Sequence, residues 1–173
     1  MSWPNASASV EQRIRYRERN MKIREFKSEI WLPLPPEHLF SFFVDAANLE
    51  TITPPWLHFK ILTPAPIEMR DGTLIDYTLL IHGLPVKWRT RIDVWQPPHV
   101  FVDEQLRGPY RKWTHQHMFD RVDGGTLVRD LVNYAVPFDS VVHSWFVRPD
   151  IERIFRYRSD YLRRRFCTPG PNH

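Results

Sequence analysis

FVDEQLRGPYRKWTHQHMFDRVDGGT, residues 101–126, decides how this chain folds. Phe101–Leu106 and Arg111–Arg121 read as two strands separated by the breaker Gly108-Pro109. Asp123-Gly124-Gly125 supplies the positive-φ positions that the next hairpin needs. Side chains alternate along a strand, so Trp113, His115, His117 and Phe119 share one face. Lys112, Thr114, Gln116, Met118 and Asp120 share the other. A solvated face rarely carries Trp and Phe, and a plain core face rarely carries two histidines. The mixture suits the wall of a cavity that is apolar in body and has a few polar groups.

Working outward, the chain downstream of residue 57 is strand and turn for some eighty residues. Leu57–Leu62, Thr73–His82 and Val86–Trp95 precede the central pair, and Thr126–Val136 follows it. Turns are expected at Gly83-Leu84-Pro85 and Gln96-Pro97-Pro98. Connections this short predict antiparallel neighbours. Upstream, Lys22–Leu32 reads as a first strand, with Phe26 reached only after a slip in the alternation. Pro35-Pro36-Glu37 starts a helix whose Leu39, Phe40, Phe43 and Val44 fall at helical spacing. Asn48 opens a second short helix, stopped by Pro54-Pro55. Downstream, Asp139–Phe166 reads as one long helix with a stripe at Ile151, Ile154, Phe155, Arg158 and Leu162. Val142, Trp145 and Phe146 lie on roughly the opposite side, so a second cover is expected there. Pro149 predicts a kink or a fresh start.

Composition bounds the class. The 173 residues are 42% hydrophobic and 14% aromatic, with seven Trp and eleven Phe, which describes one packed domain. A single cysteine, Cys167, excludes an intramolecular disulfide framework and a cysteine-based metal cluster. No apolar run is long enough for a membrane span, and the first residues hold no apolar signal core, so the expected location is cytoplasmic. The basic pI near 9.4 is misleading as a hint of nucleic acid. Residues 1–24 hold six of the 24 basic side chains and two of the 20 acidic ones, leaving 18 of each sign downstream. A domain without net charge lacks the electrostatic footprint of a nucleic-acid binder. Residues 1–20 are polar and basic and are expected to form a flexible extension, with the domain at 21–166 and a flexible tail at 167–173.

The order strand, two short helices, six strands, long helix resembles the helix-grip fold of the START-like (birch-allergen-like, SRPBCC) superfamily, in its bacterial ligand-binding or polyketide-cyclase-like branch. The residues that carry the resemblance are 32–62, 72–88, 103–119, 124–138 and 151–158. It implies an α+β fold in which a curved antiparallel sheet of about seven strands wraps a long C-terminal helix around a cavity. It carries no shared catalytic motif, because the superfamily hosts carriers, cyclases, hydrolases and co-chaperones.

The expected ligand-facing residues are Tyr77, His82, Trp88, Glu104, Trp113, His115, His117, Phe119 and Tyr134. His115 and His117 have a spacing that lets two imidazoles reach one metal, with His82 or Glu104 as a third ligand. Hydrogen-bonded wall histidines are the preferred reading, and no metal or other cofactor is expected. Asp103, Glu104, Arg89 and Arg91 read as cross-strand pairs on the outer face. Of Arg129 and Asp130, one faces inward, and an unpaired buried charge there would be too costly to be idle. No Ser/His/Asp triad or phosphate-binding loop is present. The expected function is binding of a small to medium hydrophobic ligand such as a lipid, isoprenoid or polyketide-like molecule. A cyclase or dehydratase using a cavity histidine, and a protein-interaction module, are the alternatives. No stable membrane insertion is expected, and a weak homodimer is left open.

Overall fold

The computed structural model describes residues 21–137 and 143–167. The extension at 1–20, the tail beyond Cys167 and the start of the expected long helix, 138–142, lie outside the described residues.

Seven antiparallel strands form one sheet in the order β1-β7-β6-β5-β4-β3-β2. They are β1 (Arg24–Leu32), β2 (Lys60–Ile61), β3 (Leu74–Ile81), β4 (Leu84–Gln96), β5 (Val100–Arg107), β6 (Lys112–Val122) and β7 (Gly125–Ala135). Sequential hairpins build β3 to β7, and β1 closes the far edge against β7 with Ile30 opposite Val128. Between β1 and β2 lie α1 (Pro36–Val44), α2 (Ala46–Thr51) and a 3₁₀ turn, Pro55–Leu57. A π-helical turn, His143–Val147, leads into the long helix α3 (Arg148–Phe166).

Several boundaries differ from the sequence expectation, each for a local reason. In β1 the alternation runs unbroken: Phe26 and Ile30 share the inner face with Leu32, while Ile23 lies before the strand and is exposed. The second helix starts earlier than Asn48 because the Asp45 carboxylate accepts from the Ala47 N–H at 2.9 Å and caps it there. Strand β2 shrinks to two residues because the 3₁₀ turn and the left-handed His58 (φ 43°) occupy the preceding positions. The β3–β4 turn is His82-Gly83, both at positive φ, and not Gly83-Leu84-Pro85. Ile81 then pairs with Leu84, and Pro85 lies inside the strand. Two consecutive positive-φ residues match the right-handed twist of a two-residue hairpin.

Pro149 stands in the first turn of α3, where a missing N–H is harmless. The preceding turn is π-helical, so the hydrogen-bond ladder changes type next to the proline. Val147 nevertheless keeps helical dihedrals (φ −69°, ψ −47°) and the π-turn runs directly into α3, so the expected fresh start is not a break in the helix.

The core divides in two. One cluster gathers Phe40, Phe43, Phe101, Phe119, Val128 and Leu162 beneath α1. The other joins Val132, Tyr134, Val136, Ile151 and Phe155. Along β7 the inward residues are Val128, Asp130, Val132 and Tyr134, so Asp130 falls between the two clusters. Gly125 opens this strand because a Cβ there would meet the Leu32 carbonyl oxygen at 2.2 Å.

Candidate functional site

The gap between the two apolar clusters holds a knot of charge. On β6, His115 and His117 are 5% and 6% exposed, and their ring centroids lie 3.7 Å apart. Asp103 on β5 and Asp130 on β7 flank them from the neighbouring strands, as the registers Asp103↔His115 and His117↔Asp130 require. His115 Nε2 lies 2.8 Å from Asp130 Oδ1, and His117 Nε2 lies 3.3 Å from Asp103 Oδ1. The remaining nitrogens face the other carboxylate: His117 Nδ1 is 2.9 Å from Asp130 and His115 Nδ1 is 3.7 Å from Asp103. These last two are ion-pair contacts, and the His117 Nδ1 contact is off the hydrogen-bond direction. From α3, Arg158 Nη1 reaches to 3.9 Å of Asp130.

Electrostatics follow from burial set against these contacts. Burial alone would raise Asp130, yet its hydrogen bond to His115 and its close contact with His117 hold it far below the usual carboxylate range. Asp103 is also lowered, since the His117 bond and the charges of His115, His117 and Arg158 outweigh its desolvation. The two histidines move apart. Burial and the neighbouring His117 charge lower His115 despite Asp130. His117 is desolvated as well, but its contacts with Asp103 and Asp130 raise it. Two carboxylates, one guanidinium and one imidazolium sum to zero, so the cluster is balanced when the histidine pair holds one proton. The two rings are coupled, so the titration of each depends on the charge of the other.

Above the knot is a cavity of about 440 Å³ between the sheet, α2 and α3. Of the expected ligand-facing residues, Tyr77, Trp88, Trp113, His115 and His117 border it. Tyr77 and Trp88 stack at 5.8 Å, and Trp113 meets Trp88 edge-on at 5.6 Å. His82 is at the mouth: its Nε2 lies 2.7 Å from Asp150 Oδ2 in the first turn of α3, tying the β3–β4 hairpin tip to the helix. Trp56 lies beneath the Arg153 guanidinium, 4.1 Å from it, at the same opening.

Three expected residues are elsewhere. Glu104 is on the outer face, bound by Arg91 at 2.9 Å, because Phe101 and Asp103 take the inner positions of β5. Phe119 is 1% exposed within the first apolar cluster, against Phe40 and Phe43, and does not border the cavity. Tyr134 lies behind the wall, its hydroxyl 2.9 Å from His143 Nε2. Conversely, Asp103 was expected on the outer face and is inside. The strand parity from Phe101 carries that signal. Of Arg129 and Asp130, Asp130 faces in, while Arg129 donates to Asp120 at 2.7 Å outside. Arg158 stood in an apolar helical stripe, and a charge in such a stripe was its signal.

Asp103, His115 and His117 offer three ligand atoms within 4.8 Å of one another, enough to hold a metal ion. Arg158 already supplies positive charge beside them, which opposes a cation there.

A curved seven-stranded sheet grasping a C-terminal helix over an internal cavity defines a START-like (SRPBCC) protein of helix-grip fold. The chain belongs to the polyketide cyclase/dehydrase and lipid transport family, whose model matches residues 32–162. Solved structures share the fold. A protein of Chromobacterium violaceum aligns with a TM-score of 0.66 at 15% identity, over 84% of this chain and 99% of its own. The Zhui aromatase/cyclase of a Streptomyces species gives 0.62 at 16% identity, covering 82% and 92%. A norcoclaurine synthase of Thalictrum flavum gives 0.62 at 11% identity, covering 84% and 98%. No curated protein matches the sequence. Among the described residues no helix is long and apolar enough to cross a membrane.

Proposed function

We propose that the protein binds a small to medium, largely apolar molecule in this cavity, with the polar end of the ligand against the Asp–His–Arg knot. The carrying observation is the cavity itself: aromatic and aliphatic walls around a floor of buried, mutually compensated charge. Affinity would come from apolar burial at roughly 25 cal/mol per Å² and orientation from the floor. Residues 21–166 form the binding unit in this reading, with residues 1–20 outside it, and the protein acts in the cytoplasm. Native mass spectrometry of freshly purified protein tests the reading. A one-to-one adduct that denaturation releases is expected. An adduct-free protein that also fails to enhance the fluorescence of an apolar dye would end it.

A second reading is acid–base catalysis of the cyclase or dehydratase type. The observation favouring it is a pair of adjacent buried histidines that borders the cavity, one shifted down by burial and one held up by its contacts with Asp103 and Asp130, the residue type a general acid or base needs near neutral pH. Neighbours of the same fold include an aromatase/cyclase and a norcoclaurine synthase, so the scaffold is compatible with catalysis. Turnover of an enolisable β-keto compound, reduced about a hundredfold or more by His117→Gln, would separate catalyst from carrier.

A further inference from the structure

The two edges of the sheet are finished differently. Strand β2 is only two residues long, whereas β1 offers nine, without a proline and with a register on β7 free of bulges. Among the described residues no strand pairs with the other side of β1. Every second residue there aims its N–H and C=O away from the sheet, a template for a further strand. Short length, proline and bulges protect an edge from such pairing, and β1 has none of them. Charge is the protection it does carry, so an added strand is selected by how its charges meet those of β1.

The outer face of β1 reads Glu25, Lys27, Glu29 and Trp31, all exposed, and Ile23 continues the same parity just before the strand. Lys27 lies 2.8 Å from Glu25 in its own strand, with side chains 70% and 51% exposed. Glu29 lies opposite Arg129, but that guanidinium is taken by Asp120. Ile23 and Trp31, at opposite ends, are 45% and 46% exposed.

A second copy of β1 laid antiparallel along this edge keeps outer side chains on one face only when a residue of the strand stands opposite its own copy. Centred on Lys27, the pairing sets Lys27 on Lys27 and, on either side, Glu25 on Glu29. Centred on Glu29, it sets Glu29 on Glu29. Like charges directly opposite are destabilising. Centred on Phe26, it opposes Glu25 and Lys27 but overlaps only residues 24–28 of the strand. Centred on Ser28, the whole strand overlaps and Lys27 faces Glu29 on both sides of the axis. Ile23 of each copy then falls diagonally beside Trp31 of the other, within reach of an aromatic side chain.

We infer that the protein associates with a second copy of itself by antiparallel pairing of the β1 edges about Ser28, with the Lys27–Glu29 pairs setting the register. The interface is isologous, each copy giving and receiving the same contacts across a two-fold axis. It does not depend on what the cavity binds.

Sedimentation velocity of the full chain over rising concentration tests it. A monomer–dimer equilibrium is expected. Lys27→Glu or Glu29→Lys alone should weaken it at least about tenfold, because the two-fold axis turns two attractive pairs repulsive at once. Lys27→Glu combined with Glu29→Lys restores unlike pairs in this register and should return dimerisation to within about threefold of the unaltered chain. Both positions are exposed, so circular dichroism should show every variant folded. Carbodiimide treatment of mixed isotope-labelled and unlabelled protein should give a Lys27–Glu29 amide that joins one chain to the other. A chain that stays monomeric to about 1 mM would overturn the inference, whatever covers the edge. So would a dimer indifferent to both single reversals, or one that the double reversal fails to restore.

Discussion

His115 Nε2 and Asp130 Oδ1 are 2.8 Å apart, on adjacent strands, with only 7% and 6% of their side chains exposed. The pair lies where two apolar clusters would otherwise meet, so each group depends on the other for compensation. Removing one partner from such a pair leaves a buried charge unmatched, which typically costs about 3–5 kcal/mol. Asp130→Leu should therefore destabilise strongly in urea unfolding. The adjacent Arg129→Ala, on the exposed face with Asp120, should change stability by no more than about 0.5 kcal/mol. Equal effects at the two positions would contradict the inward and outward assignment.

The opposed shifts of the two histidines predict separate titrations. Followed by ring-proton NMR, His117 should titrate above the ordinary 6.5 and His115 below it. The signs for stability differ accordingly. His117 has a raised folded value, so its contribution is full below 6.5 and is lost as pH rises through that folded value. His115 has a depressed one, so it withdraws stability as pH falls from 6.5 through its folded value. Asp130 contributes above 3.8, and that contribution is lost only as pH falls through its much lower folded value. In Asp130→Asn, His117 should move downward. Two histidines titrating together at 6.5 would refute the coupled pair.

The fold was legible because periodicity and punctuation agreed. Strand alternation in β4 to β7, proline at the start of α1 and turn glycine at Gly124 each pointed to the same hairpin order. The β6 wall was legible too, since Trp113, His115 and His117 had to share a face. What failed depended on neighbours in space. Nothing local to Glu104 says that Arg91 will hold it outside. Phe119 has the right parity for the wall, but α1 drops Phe40 and Phe43 over it. Arg158 and Asp130 are 28 positions apart, and only the docking of α3 on the sheet brings them together.

The His82–Asp150 bond links two elements that border the cavity mouth, and its side chains are 53% and 38% exposed. A pair this exposed contributes at most about 1 kcal/mol, so Asp150→Asn should hardly move the melting temperature. Ligand traffic should respond more, because the hairpin tip is no longer held to the helix. Stopped-flow release of aminoanthracene should accelerate at least about threefold, as expected when a mouth closure is loosened. Unchanged release would show that the ligand enters elsewhere.

Phe119 and Trp113 share a face of β6 but divide core from cavity wall, and their substitutions should separate accordingly. Phe119 is enclosed by Phe40, Phe43 and Phe101, with ring centroids 5.2 to 6.2 Å away. Truncating it to alanine removes those contacts and leaves a void, at a cost of about 3–5 kcal/mol. Trp113 is half-buried between Tyr110 and Trp88 and borders the cavity. Trp113→Ala enlarges a space that is already open, so its stability loss should be the smaller of the two. Its effect on dye affinity should be the larger, because it deletes apolar wall that a ligand would cover. Urea unfolding and dye titration on the two variants give four numbers. A Trp113→Ala protein with unaltered dye affinity, beside a Phe119→Ala protein that keeps its stability, would mean that wall and core had been assigned the wrong way round.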